Sequence, residues 1–179
     1  MLVDWGGMTV TRRRAPPESA FLEGLVQSYY WDSYEAPLRR PDLTITEIYL
    51  ALFAHHPWWA RRPLFLRGWI VAPFGLRTTT ASAFDSIEIK PAYAVGEKIA
   101  RFTMYAQNST EMITGGDDRH LDFRVSVRKL TRGGASRVVL STMVSPHNLY
   151  GRAYLLVILP FHRLGVRALL ANAVRAGRV

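Results

Sequence analysis

The stretch from His147 to Val174, HNLYGRAYLLVILPFHRLGVRALLANAV, is the longest apolar segment of the chain and sits close to its C-terminus. Built as an α-helix from Leu149 to Val174 it would run about 39 Å at about 1.5 Å per residue, enough to cross a small domain from edge to edge. Tyr154 to Phe161 is apolar all round, which predicts burial on several sides at once. Further on the residues sort, with Leu164, Ala168 and Ala171 on one stripe and Arg163 and Arg167 elsewhere. Pro160 lacks the N–H that an intrahelical bond needs, so a kink is expected there. Asn148 is a natural N-cap. A helix this long and this apolar has to be wrapped, and the upstream sequence must do the wrapping.

That upstream sequence reads as short elements. Residues 1 to about 18, with the triplet Arg12–Arg14 and Pro16-Pro17, read as a flexible tail, and Met8 is an alternative start. Residues 19–179 read as one domain, a size that one core can support. Tyr29 to Glu35 is an aromatic-rich first strand closed by Pro37. Asp42 to His56 is a helix: Thr44 and Glu47 form a capping box, Ile45, Ile48, Leu52 and Phe53 form the apolar stripe, and Pro57 stops it. A second helix starts at Pro63 and runs to Pro73.

After it the period changes from 3.6 to 2. Ser86 to Lys90 and Lys98 to Gln107 read as strands, the latter apolar on both faces. Glu111 to Thr114 is brief and meets an expected turn, Gly115-Gly116-Asp117-Asp118. From His120 to Leu130 the residues Leu121, Phe123, Val125 and Val127 alternate with Asp122, Arg124, Ser126 and Arg128. Gly133-Gly134 turns this strand into the next, Arg137 to Val144. A strand, two short helices, a run of antiparallel strands and a long helix make an α+β chain, in which a curved antiparallel sheet and the helix bury each other's apolar faces.

Composition narrows the function classes. With no Cys there are no disulfides, no thiolate metal sites and no Cys nucleophile, and with no apolar leader at the N-terminus the expected location is cytoplasmic. The unbroken apolar run Ala153–Phe161 is well short of the roughly 20 residues of a membrane span, so the C-terminal helix is not expected to be transmembrane. The net charge of +9 invites anionic partners. However, the Arg residues are scattered and no zinc-knuckle, helix-turn-helix or aromatic ribonucleoprotein signature accompanies them, so nucleic acid is an unlikely partner and a solvated surface is the simpler reading.

Four pieces carry a resemblance: Tyr30-Trp31-Asp32-Ser33, the run Gly116 to Ser126 (GDDRHLDFRVS), the run His147 to Tyr154 (HNLYGRAY), and Pro160-Phe161-His162. In this order, over about residues 28 to 170, they resemble the bacterial family of domain of unknown function 2867. That family is similar to the Bet v 1-like helix-grip superfamily, which includes lipid-transfer (START) domains and polyketide cyclases. The resemblance implies a helix-grip fold and, as a partner, an NAD(P)-binding reductase domain supplied by another chain, since no GxGxxG follows a strand here. It implies no catalytic residues and no cofactor.

The chemistry-bearing residues fall into groups. Asp118, His120 and Asp122 at i, i+2 and i+4 would share one face of a strand and could run acid–base chemistry or hold a divalent metal, though Leu121, Phe123 and Val125 have the better claim to the core, which leaves the polar face, continued by Arg124, as a solvated ladder. His147, Asn148 and Arg152 at the start of the long helix could hold an anion, or could simply cap it. His162 follows Pro160, and Glu111 opens a short strand. The aromatics Tyr30, Trp31, Tyr34, Trp58, Trp59, Trp69, Phe102 and Tyr154 could line an apolar pocket or fill core.

Three functions compete on these residues. The first is a domain binding an apolar small molecule, a lipid or polyketide-like ring, in a cavity between sheet and helix, with His120, Asp122, Arg124, His147, Arg152 and His162 as polar fittings. The second is a cyclase or isomerase on the same fold, with His120, Asp122 and His162 as acid and base. The third is a basic membrane-surface or interaction module presenting Arg163, Arg167, Arg175 and Arg178.

Overall fold

Gly133 and Gly134 take φ values of +57° and +76°, the left-handed region a two-residue hairpin turn demands, and so fold two 12-residue strands back on each other. The rest of the sheet grows from this hairpin. The computed structural model of the chain describes residues 3–4, 9–12, 28–54, 90, 93–99 and 102–179. Its elements are β1 (Val3–Asp4), β2 (Thr9–Arg12), β3 (Tyr30–Pro37), α1 (Ile45–Phe53), β4 (Lys98–Ile99), β5 (Phe102–Gln107), β6 (Glu111–Asp117), β7 (Leu121–Arg132), β8 (Ala135–Pro146) and α2 (Leu149–Arg175). The expected helix Pro63–Pro73, the expected strand Ser86–Lys90 up to its last residue, and Trp58, Trp59 and Trp69 lie outside the described residues.

The fold is mixed α+β. Among the described residues, eight strands form one antiparallel sheet in the order β1-β2-β3-β8-β7-β6-β5-β4. Strands β4 to β8 are a meander, and β3 joins its far side by pairing with β8 from Tyr30↔Val144 to Pro37↔Arg137. Val3–Asp4 and Thr9–Arg12, read from sequence as tail, extend the sheet beyond β3, with Arg12 opposite Tyr34.

Because side chains alternate along a strand, the register sorts the sheet into two faces. One row runs Asp32, Thr142, Val125, Thr114 and Met104; the next runs Tyr34, Leu140, Val127 and Met112. This inner face meets both helices. Its buried residues form the main core with Ile45, Ile48 and Leu52 of α1 and Leu170, Ala173 and Val174 of α2. The Tyr49 hydroxyl of α1 lies 3.0 Å from Thr114 Oγ1. The expected capping box is present: Glu47 N–H donates to Thr44 Oγ1 at 3.3 Å, and Thr44 N–H donates to Glu47 Oε2 at 2.8 Å.

Three local expectations are corrected. Gly115 and Gly116 do not turn the chain; they lie inside β6, and the turn is formed by the three residues after it, Asp118 to His120. A Cβ on Gly115 would sit 2.2 Å from the Phe123 carbonyl oxygen, so glycine serves close strand approach there. In β5 the register shifts between Met104 and Ala106, a bulge that breaks the plain alternation read over Lys98–Gln107. In α2, Leu155 is buried, but Leu156, Val157, Phe161 and Leu164 are exposed. The apolar centre of the helix is therefore not buried all round. Its burial is concentrated in the last turns, where Leu170, Ala171, Ala173 and Val174 enter the core.

Two glycines give opposite expectations. Gly115→Ala forces a Cβ into a backbone oxygen and should destabilise the protein by about 1–3 kcal/mol or more. Gly165, inside α2 with open space where its Cβ would be, should gain about 0.5–1 kcal/mol as Ala. Urea unfolding of the two variants beside the parent checks both signs.

Candidate functional site

Strand β3 places Tyr30, Asp32 and Tyr34 on the inner face, beneath the middle of α2. Asp32 is only 1% exposed. Its Oδ2 accepts a 2.6 Å bond from the Tyr30 hydroxyl, and its Oδ1 lies 3.3 Å from His162 Nε2. The Tyr30 oxygen in turn accepts from Arg163 Nε at 3.3 Å, and the guanidinium stands 5.7 Å from the Tyr30 ring centre. The result is a chain of donors, guanidinium to phenol and phenol to carboxylate, that ends on a buried negative charge also met by an imidazole. A carboxylate taken out of water needs such partners, since its desolvation costs several kcal/mol otherwise.

Burial, and then the bond to Asp32, push the Tyr30 hydroxyl far above its ordinary pKa, so Tyr30 acts as a neutral donor. One turn on, the Arg167 guanidinium lies 5.3 Å from the Tyr34 ring centre. Tyr34 is 0% exposed, and its hydroxyl has no hydrogen-bond partner among the described residues. Burial raises its pKa also, with the charge of Asp32 adding to the effect. A buried hydroxyl without a partner costs about 1–3 kcal/mol.

The helix above is inverted for one packed on a sheet in water. It turns His162, Arg163 and Arg167 toward β3, while Leu156 and Leu164 are 66% and 63% exposed. Arg163 and Arg167 are thus engaged with tyrosines and do not form the basic outer face read from the sequence. Arg178 has Nε and Nη2 buried, which lowers its pKa, and only Arg175 of that set is exposed.

The other nominated residues gather elsewhere. At the N-terminus of α2, Asn148 Oδ1 accepts from Gly151 N–H at 2.9 Å, the cap expected. His147 Nε2 pairs with Asp122 Oδ2 at 3.0 Å, and His120 sets its ring, tilted by 55°, 4.8 Å from that of Tyr150 and places Nδ1 3.4 Å from Asn148 Nδ2. A Cβ on Gly151 would come 2.2 Å from the His120 carbonyl oxygen, so the helix start is pressed against the β6–β7 turn. His120 and Asp122 therefore fasten the helix start, apart from His162. Asp118 and His120 belong to the turn before β7, so the face imagined for an Asp118–His120–Asp122 metal site is not a strand face, and no three potential ligands converge among the described residues. Arg152 is exposed, its guanidinium 5.3 Å from the Tyr29 ring centre, and Tyr154 is half-buried.

On the opposite face of the sheet, Trp31 packs with Ile113 and Met143, and buried Glu111 accepts from the Ser126 hydroxyl. Arg124 lies 3.6 Å from the Tyr105 ring centre and bonds Asp117 at 2.6 Å. Phe102 is on the core side, edge-on to Phe53 and Phe123. Of the residues expected at a site, then, His120, Asp122, His147 and Asn148 gather at the start of α2, while Tyr30 and His162 come together beneath the helix. Asp32 and Arg163 complete the cluster, and neither was nominated for it. The available signal was the position of Asp32 between Tyr30 and Tyr34 at strand spacing, one polar residue on an aromatic face.

Removing the Tyr30 hydroxyl leaves the buried carboxylate short of one donor, so Tyr30→Phe should cost about 1–3 kcal/mol in urea unfolding. For Asp117, burial raises the carboxyl pKa, but the Tyr105 hydroxyl and Arg124 outweigh it and the net shift is downward. Asp117 therefore adds stability above its unfolded value of about 3.9, and loses it as pH falls through the lower folded value. The unfolding midpoints of the parent and Asp117→Asn should differ at neutral pH and converge on acidification below about pH 4.

The segments that carried the family resemblance meet in pairs: Asp32 against His162, and the residues around His120 against the start of α2. No curated protein and no solved structure matches the chain. The model of one family, protein of unknown function (DUF2867), matches residues 25–169, which takes in β3, α1, the whole meander and most of α2. The chain belongs to the DUF2867 family.

Proposed function

We propose that the chain is a small-molecule-binding domain of the helix-grip kind, with its ligand held between the sheet and α2. The ligand has an apolar body and at least one polar group, which meets the Tyr34 hydroxyl and the Tyr30–Asp32–His162 chain. The observation that carries this reading is the Tyr34 hydroxyl, fully buried beside a buried carboxylate and unpartnered among the described residues. A polar atom in that position would gain a hydrogen bond from the polar group of a ligand. The aromatic inner face, with Phe102 and Phe123, suits an apolar body. Trp31, Glu111 and Arg124 face the other side of the sheet and have no part in it.

Titration with fluorescent fatty acids, sterols and fused-ring aromatics should find saturable binding to one class. Tyr34→Phe should then weaken that binding by about fivefold, the worth of one hydrogen bond, while the unliganded variant is as stable as the parent or more so. The absence of saturable binding to every class would count against the reading.

The second reading is an isomerase- or cyclase-type enzyme at the same site. It is favoured by the 3.3 Å approach of His162 Nε2 to Asp32 Oδ1: a carboxylate that holds Nε2–H leaves Nδ1 with its lone pair as a base. His162 then carries the proton and Asp32 orients it. A reductase domain on another chain would supply or consume the substrate. If an activity is found, His162→Gln should lower kcat by about 100-fold or more, while His120→Ala should leave it within a few-fold.

A further inference from the structure

The outer face of α2 has no role in the ligand site. Leu149, Leu156, Val157, Phe161 and Leu164 stand exposed along it over 15 residue steps, about 22 Å of helix, with exposed Tyr29 beside the first turn. Large apolar side chains in one continuous stripe are the exposure that a soluble monomer ordinarily avoids. We propose that this face docks on an anionic lipid bilayer, with α2 lying in the plane of the interface.

Three observations select lipid over other occupants. The stripe is accompanied at its first turn by Arg152 and Tyr29, a cation and an amphipathic ring of the kind that settle at headgroup level. The chain carries +9, which draws it to an anionic surface and sets two copies of it against each other. The strip is also narrow. At about 22 Å by about 10 Å it presents far less than the roughly 800 Å² per partner of a stable protein interface, whereas a bilayer takes up a single helix face. By length and composition α2 is apolar enough to cross a membrane. Its inner face, however, is bound to β3 through His162 and Arg163, and its last turns lie in the core with α1, so the attached helix lies on the surface. The proposal stands apart from the ligand reading, since it uses none of the same side chains.

The test is co-sedimentation of the full chain with vesicles of phosphatidylcholine and phosphatidylglycerol, alongside phosphatidylcholine alone. The parent should bind the mixed vesicles, bind the neutral ones several-fold less, and lose binding as salt rises. Leu156→Asp with Leu164→Asp should lower partitioning by roughly tenfold or more without altering the far-ultraviolet spectrum or the unfolding midpoint, because both sites are exposed. Arg152→Glu should weaken binding to the mixed vesicles more than to the neutral ones. A parent that stays in the supernatant, or a double variant that partitions like the parent, overturns the proposal. Resistance of the bound chain to a carbonate wash would also overturn it, in favour of a crossing helix. A parent dimer that the double variant dissociates, without vesicle binding, would give the face to a second copy.

Discussion

Asp32 is a carboxylate with 1% of its surface in contact with solvent, on the face of the sheet that also holds the core. A charge there has to be met by donors from whatever covers the sheet, and what covers it is α2. The Tyr30 hydroxyl comes from the same strand, but the imidazole and the guanidinium behind it come from the helix. The orientation of α2 about its own axis follows. Turning His162 down to β3 obliges Val157 and Leu164, on the other side of the cylinder, to point away, while Arg163 reaches Tyr30 from the flank of the helix. The buried polar cluster and the exposed apolar stripe are two consequences of one rotation.

That rotation is held at both ends. At the start, Asn148 caps the helix, Gly151 packs against the His120 carbonyl, and His147 pairs with Asp122. At the end, Leu170, Ala173 and Val174 sit in the core beside α1, and the Ala173 carbonyl accepts from Arg178 N–H at 3.0 Å past Gly177 in the left-handed region. Between these anchors lie the polar groups that meet β3 and, beneath them, the Tyr34 hydroxyl, unpartnered among the described residues.

The four segments that carry the family likeness are far apart in sequence, and each supplies half of a contact. The strand piece YWDS supplies Tyr30 and Asp32, and the helix piece PFH supplies His162. The hairpin piece supplies His120 and Asp122, and the helix start supplies Asn148, Tyr150 and His147. Read singly, each invites its own local chemistry, such as a metal face or an anion cap. Read together in space, one pair fastens the helix start and the other brings the helix to the buried Asp32.

Local chemistry made a large part of this fold legible. The Thr44–Glu47 capping box, the Asn148 cap and the Gly133-Gly134 turn were readable because each is decided within a few residues of the chain, by hydrogen bonds and backbone sterics that need no distant partner. The inward face of β7 was readable for the same reason, as Phe123, Val125 and Val127 alternate strictly with the polar Arg124, Ser126 and Arg128. Gly115-Gly116 misled because a glycine that lets Phe123 approach looks, in one dimension, like a glycine that turns the chain. The α2 stripe misled because apolar residues on every side of a helix do not say which side meets the sheet. That choice was made by Asp32, more than a hundred residues earlier, whose need for donors outweighs the burial of a few leucines. Period and capping are properties of a segment; the partner of a buried charge is a property of the whole packed chain.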